Sequence, residues 1–236
     1  MGIWRNEVVP RATDFLLDTV EIRRLREETV GGLRGDVIEV GFGSGSNLAF
    51  YPPGVRRVLA VEPSAVAARL AAKRIASSPV PVEIVGTDAQ GLSIESSSVD
   101  AAVSTFTLCT IPDPGTALAE LLRVLRPGGT FTFLEHGLAP RASVARWQRR
   151  LNPLQARIAA GCQLDRPIDR LVADAGFVLG ELRNLQLPGP RPLRPFGYLY
   201  LGTATKPTLT SLTASTVLAR NGSRDGPPFA GIVRIR

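Results

Sequence analysis

Residues 36–47 read Asp-Val-Ile-Glu-Val-Gly-Phe-Gly-Ser-Gly-Ser-Asn, an apolar strand holding one acid that runs directly into Gly41-x-Gly43-x-Gly45. Glycines at that junction let the chain turn tightly and bring its backbone within contact distance of a ligand that any Cβ would hold away. The segment is therefore read as a nucleotide-binding loop at the first strand of an α/β fold. A dinucleotide fingerprint would place a further glycine or alanine one residue later to pack helix on strand; here that position is Ser46. Glycine-rich turns also occur without ligands, so the reading depends on what surrounds the loop.

What surrounds it is an alternation of strands and helices. Residues 12–28 place Phe15, Leu16, Val20, Ile22 and Leu25 among charges at near-helical spacing, which predicts one amphipathic leading helix. Strands are expected at 36–41, 57–62, 81–86, 99–105 and 130–135, and helices at 45–50, 64–76 and 114–125. The region 141–175 reads as a helical cap insertion interrupted by Pro153 and Pro167. Phe177-Val178-Leu179 and Tyr198-Leu199-Tyr200-Leu201 read as two last strands, and the proline-rich connection 186–197 as too rigid for a helix. Strands alternating with helices give a Rossmann-like, doubly wound sheet, mostly parallel, with ligands beyond the carboxyl ends of its strands. One domain over 1–206 follows, with 207–236 a disordered or loosely docked tail of Thr, Ser, Gly, Pro and Arg without periodicity.

A net charge of +7 does not imply nucleic acid. Lys73 and Lys206 are the only lysines among 28 basic residues, so the charge is nearly all arginine. Of the total, +4 falls at and after Lys206 (Lys206, Arg220, Arg224, Arg234 and Arg236 against Asp225), which leaves +3 for the rest. Aromatic residues make up 6%, and no basic run interleaved with them resembles an RNA-stacking platform, so no nucleic-acid partner is expected. No run of eighteen apolar residues exists and Met1-Gly2-Ile3-Trp4-Arg5-Asn6-Glu7 lacks an apolar signal core, which gives the expectation of a cytoplasmic protein. Cys109 and Cys162 lie far apart in sequence, with no Cys-x-x-Cys and no Cys/His cluster along the chain, so neither a metal site nor a disulfide is expected.

Acids fall where such a sheet would present them around one adenosine. Glu39 precedes the glycine loop. Glu62 ends the second strand, about twenty residues after the loop, where a carboxylate can accept from ribose hydroxyls. Asp88, in Gly86-Thr87-Asp88-Ala89-Gln90, lies just past the third strand, within reach of an adenine amino group. Each alone is ordinarily a solvated strand-end acid; together, at this spacing, they describe a site.

With Val99-Asp100-Ala101-Ala102-Val103-Ser104 and Leu122-Arg123-Val124-Leu125-Arg126-Pro127-Gly128-Gly129 in the same order, the chain resembles the class I S-adenosylmethionine (SAM) methyltransferases. Asn47-Leu48-x-Phe50-Tyr51-Pro52-Pro53-Gly54, Phe133-Leu134-Glu135-His136, Gly161-Cys162-x-Leu164-x-Arg166 and Arg194-Pro195 are further similar to the small-thiol methyltransferases of the methyltransferase-like family and their bacterial relatives, over roughly residues 30–206. The resemblance implies an antiparallel last strand and SAM as cofactor, with S-adenosylhomocysteine as product. It implies that Gly41, Phe42, Gly43 and Gly45 surround the amino-acid part of SAM and that Glu39 orders that loop or meets the amino group. Glu62 would hold the ribose beside Pro63, Asp88, Ala89 and Gln90 would meet the adenine, and Thr105 and Phe106 would face the methionine part. Mammalian members carry a hydrophobic anchor where this chain has the charged segment 12–28, so membrane residence does not carry over.

The expected partner is a small, apolar acceptor, with a thiol favoured and phenol, hydroxyl or amine open. Thiols ionise near pH 8.5 and make the smallest demand for a base. His136, the only histidine, is the candidate base, with a structural histidine as the plain alternative. Both cysteines read as small buried hydrophobes. Trp147, Leu151, Leu154 and Ile158 are expected either to line an acceptor pocket, with the neighbouring arginines facing water or a membrane surface, or to belong to an ordinary amphipathic helix packed on the sheet. A nicotinamide-dependent oxidoreductase and a catalytically silent SAM-binding module are the competing functional classes.

Overall fold

The computed structural model describes residues 7–208; the expectation for the tail falls almost entirely on residues outside that range. In chain order the elements are α1 (Val9–Leu16), α2 (Val20–Val30), β1 (Gly35–Val40), β2 (Val55–Val61), α3 (Ala65–Ser77), β3 (Val82–Gly86), β4 (Val99–Thr105), α4 (Pro114–Val124), β5 (Leu125–His136), α5 (Ala142–Ile158), α6 (Ile168–Asp174), β6 (Val178–Gln186) and β7 (Tyr198–Thr205).

The strands form a seven-stranded sheet in the order β3-β2-β1-β4-β5-β7-β6. β1 to β5 are parallel, and β7 runs antiparallel to both β5 and β6. From β1 the chain winds outward through β2 to β3, then returns to lay β4 on the other side of β1. The crevice of the sheet therefore opens above the carboxyl ends of β1 and β4. Central strands covered on both faces must be apolar throughout. Val37, Ile38, Val40, Ala102, Val103, Phe131 and Phe133 are accordingly almost completely buried, and α4 closes one face with Ala117, Leu118, Leu121 and Val124.

Helix starts follow side-chain chemistry. Ser64 Oγ accepts from Ala67 N at 3.2 Å to open α3, and Asp113 accepts from Thr116 N at 3.0 Å ahead of Pro114 to open α4. The single leading helix expected over 12–28 is in fact two. Thr19, in extended conformation, accepts from Ile22 N and starts a new helix, so the chain bends after Leu17. Pro153 does not interrupt the cap: α5 runs through it with the proline on the exposed side, where the carbonyl it leaves unpaired can meet water. Pro167 does mark a break, directly before α6. The connection 186–197, expected to be non-helical, contains a 3-10 turn over Arg191–Phe196. No helix among the described residues is long and apolar enough to cross a membrane.

Candidate functional site

A cleft of about 630 Å³ opens at the carboxyl ends of β1, β2 and β4. Its floor is the glycine loop. Gly41 has φ +69°, and a Cβ there would meet the Thr107 hydroxyl oxygen at 1.9 Å, so only glycine lets the turn out of β1 pass the loop after β4. A Cβ on Gly43 would meet nothing closer than 3.8 Å and would project into open space. The backbone at Gly43 is left bare for something to lie against.

Glu62 holds this floor in place. Its carboxylate accepts from Gly43 N at 2.7 Å and from Ser64 N at 2.7 Å, tying the glycine loop to the start of α3. A carboxylate has about four acceptor sites, and these bonds use two, so acceptor capacity remains on the cleft side. Burial raises the Glu62 pKa, against which its two backbone partners pull. Asp88 is exposed on the opposite rim, accepting from Gln90 N at 2.9 Å and from the Gln90 amide at 3.1 Å, and these bonds hold it below the usual carboxylate range. Pro63, Ala89, Gln90, Thr105 and Phe106 complete the expected lining. Phe106 has φ +54°, a left-handed conformation costly for an aromatic residue, held by its N–H donating to Leu134 O at 2.8 Å.

Two expected site residues stand apart from the lining. Gly45 lies in the loop but turns its Cα toward Leu48 and Phe42. Glu39 is buried beneath the loop, 1% exposed, accepting from Asn47 Nδ2 at 2.8 Å and Tyr51 Oη at 2.6 Å. Its bonds run to Asn47 and Tyr51, on the segment that follows the loop, and it does not line the cleft. Burial, against those two bonds, raises its pKa to about 7.

The leading helices supply residues that the spacing argument missed. Arg26, from α2, lines the cleft and donates to Asn47 Oδ1 and Thr105 Oγ1, both at 2.9 Å, while its Nε is buried without a hydrogen-bond partner. A buried, half-satisfied guanidinium is costly by itself, which suits a site that receives an anion. Asp14, from α1, bonds the Ser44 hydroxyl and accepts from Arg74 at 3.0 Å, pinning α1 over the glycine loop. These partners hold Asp14 below the usual range despite the desolvation that burial imposes. Both residues lie upstream of every motif, in a segment whose sequence signals only amphipathicity.

The expected acceptor lining is not formed as anticipated. Trp147, Leu154 and Ile158 are about half exposed, and neither they nor Leu151 line the cleft. The buried face of α5 instead carries Gln148, which clamps Ala139 N, Gly137 O and Pro195 O. The cap reaches the cleft through Ala159 and Ala160. His136 does not line it either; its ring lies behind Phe106, with centroids 5.0 Å apart. There it meets both cysteines: Sγ of Cys109 and Cys162 lie 4.0 and 3.8 Å from His136 Nδ1 and 3.7 Å from each other. The fold gathers the Cys/His cluster that the linear spacing gave no reason to expect. Contact with Cys162 and burial raise the Cys109 pKa, and the same contact pushes Cys162 down.

Glycine backbone bare to the cleft, a carboxylate with spare acceptor sites, a second carboxylate on the far rim and a guanidinium with its Nε unpaired together fit SAM, which presents ribose hydroxyls, an adenine amino group and a methionine carboxylate. Comparison with known proteins agrees. Residues 38–133 match the family model described as a methyltransferase domain. Thiol S-methyltransferase TMT1B of Rattus norvegicus is 34% identical over 174 residues, 72% of this chain and 70% of that protein. The Homo sapiens TMT1B is 33% identical over 174 residues, with 72% and 70% covered. The solved structure of a geranyl diphosphate methyltransferase in complex with SAM superposes with a TM-score of 0.62 at 17% identity, covering 84% of this chain and 88% of that one. These matches set aside the nicotinamide-dependent alternative. The chain belongs to the class I SAM-dependent methyltransferases, alongside the thiol S-methyltransferases, and its cofactor is SAM.

Proposed function

We propose that the chain transfers the methyl group of SAM to the sulfur of a small, apolar thiol. In this reading the Gly41–Gly45 loop receives the amino-acid part of SAM and Glu62 accepts from the ribose hydroxyls. Pro63, Asp88, Ala89 and Gln90 bound the adenine, and Thr105 and Phe106 border the methionine part. Arg26 offers its unpaired Nε to the methionine carboxylate. SAM supplies an activated methyl group; the protein aligns acceptor sulfur, methyl and leaving sulfur in line, which is worth up to about 7–11 kcal/mol in well-oriented reactions.

The observation that carries the thiol assignment is the lack of a free base. Among the described residues lining the cleft there is no histidine or lysine, and Asp14, Glu62 and Asp88 each already hold loops or helices in place. A cleft so equipped suits an acceptor that sheds its own proton near neutral pH, which a thiol does and an alcohol or alkylamine does not. The likeness to thiol S-methyltransferases supports the same acceptor. Measuring S-adenosylhomocysteine release over matched alkyl and aryl thiols, phenols and amines tests it. Thiols should turn over at least tenfold faster than amines of the same shape; turnover of phenols or amines with none of thiols would reject the thiol assignment.

A further inference from the structure

The described residues hold one group of three metal-ligating side chains, Cys109, His136 and Cys162, with all candidate ligand atoms within 4.8 Å of one another. It arises from three separate parts of the chain: the loop after β4, the end of β5, and the turn after α5. Hydrogen bonds tie these parts to one another. Glu135, fully buried, accepts from Ser104 Oγ at 2.7 Å, Thr107 N at 3.0 Å and Cys109 N at 3.2 Å, setting the loop that carries Cys109. Gln163 N donates to Cys109 O at 2.8 Å, and Arg166 donates to Leu108 O and to Ile111 O at 2.7 Å, locking the Cys162 turn against that loop.

The spacing is that of a coordination polyhedron. Ligand bonds of about 2.3 Å to sulfur and about 2.0–2.1 Å to nitrogen, at tetrahedral angles, require S···S edges of about 3.8 Å and S···N edges of about 3.6 Å. The observed edges are 3.7 Å between the sulfurs and 3.8 and 4.0 Å from sulfur to Nδ1. A disulfide would need the sulfurs near 2.05 Å. Two thiolates and one imidazole are a set that zinc takes in catalytic sites, with the fourth position left for water or substrate. The cluster stands against the cleft wall: Phe106, packed on His136, and Thr107, Thr110, Ile111, Ala159 and Ala160, flanking the two cysteines, all line the cleft.

We propose that Cys109, His136 and Cys162 bind one zinc ion whose fourth position takes the acceptor sulfur as its thiolate. The second half of the proposal rests on the thiol reading above. On binding, the thiol proton passes to solvent. The sulfur lone pair then forms the S–CH3 bond as the bond from methyl to the SAM sulfonium breaks, leaving neutral thioether and S-adenosylhomocysteine; the thioether, a poorer ligand than a thiolate, departs.

Cobalt(II), a coloured stand-in for zinc, tests this on the full chain stripped with chelator under reductant. One equivalent should bind with a Kd below about 1 μM and give thiolate-to-cobalt charge-transfer absorption that zinc abolishes. Cys162→Ser should weaken binding at least tenfold and lower that absorption, with Cys109→Ser confirming it if its circular dichroism shows a folded protein. Adding a small aryl thiol should change the cobalt spectrum, and its methyl thioether should not. Absence of stoichiometric cobalt and zinc binding overturns the proposal, and so does a Cys109–Cys162 disulfide that forms equally with zinc present. Thiol methylation by protein free of zinc overturns it while leaving the thiol reading standing. Zinc binding without turnover of any thiol rejects the thiol reading and the fourth-position assignment with it.

Discussion

Glu62 bonds two backbone amides from two different segments, so its loss removes the brace of the glycine loop and, in the proposed reading, an acceptor for the ribose. Glu62→Ala should weaken SAM binding by about 1.5–3 kcal/mol, the worth of hydrogen bonds to a charged group, as read by isothermal titration; unchanged affinity would remove Glu62 from the ribose. Glu39 makes a prediction of a different kind. Its pKa is raised from the ordinary 4.5 to about 7, so between those values the folded state holds a proton that the unfolded state has lost. The contribution to stability is complete below pH 4.5 and is lost as pH rises through 7. Wild type should therefore lose on the order of 3 kcal/mol relative to Glu39→Gln between pH 4.5 and 8 in urea unfolding; parallel pH profiles would contradict it. That Glu62 and Asp88 border the cleft was legible because strand ends and their spacing are written in the sequence. Arg26 and the approach of Cys109, Cys162 and His136 were not: each depends on side chains meeting across elements whose relative placement no local pattern encodes.

At the scale of elements, β1 to β4 and α3 and α4 fall within a few residues of where periodicity and glycine or proline punctuation put them, whereas β5 begins at Leu125, ahead of the expected start at 130. The leading segment and the cap were read less well. Amphipathic spacing continues across Thr19, so only its cap geometry reveals the bend, and on α5 the apolar stripe Trp147, Leu154 and Ile158 proved to be the outer one. The bend has a functional side, because it lets α1 fold back over the cleft, where Asp14 meets Ser44 and Arg74. Asp14→Ala should unpin α1, raising the amide exchange of residues 9–16 and weakening SAM binding severalfold, while the melting temperature changes little. Equal exchange in the two proteins would show that apolar contacts alone hold the helix.

At the scale of the whole molecule, a network of charges braces the end of the sheet opposite the cleft. Asp100 accepts from Asp36 N at 2.8 Å and Arg56 at 2.9 Å and pairs with Arg126, linking β1, β2, β4 and β5. Despite the desolvation that burial imposes, these partners hold its pKa below the ordinary 3.8. Stability from such a group is present above 3.8 and is lost as pH falls through the lower folded value. Asp100→Asn should melt a few degrees below wild type at pH 7, with the gap closing under acid below about pH 3.8; a gap that persists there would assign the effect to packing. The sheet order carries one more consequence. β7, last to leave the ribosome among the described strands, belongs between β5 and β6, both made earlier. Until residues 198–205 emerge, β5 has an open edge and β6 has no neighbour, so a nascent chain can complete the parallel part of the sheet, β1 to β5, but not its antiparallel edge. Such a chain exposes unpaired edges of β5 and β6 to other proteins, and those edges are where stalled or truncated copies would associate.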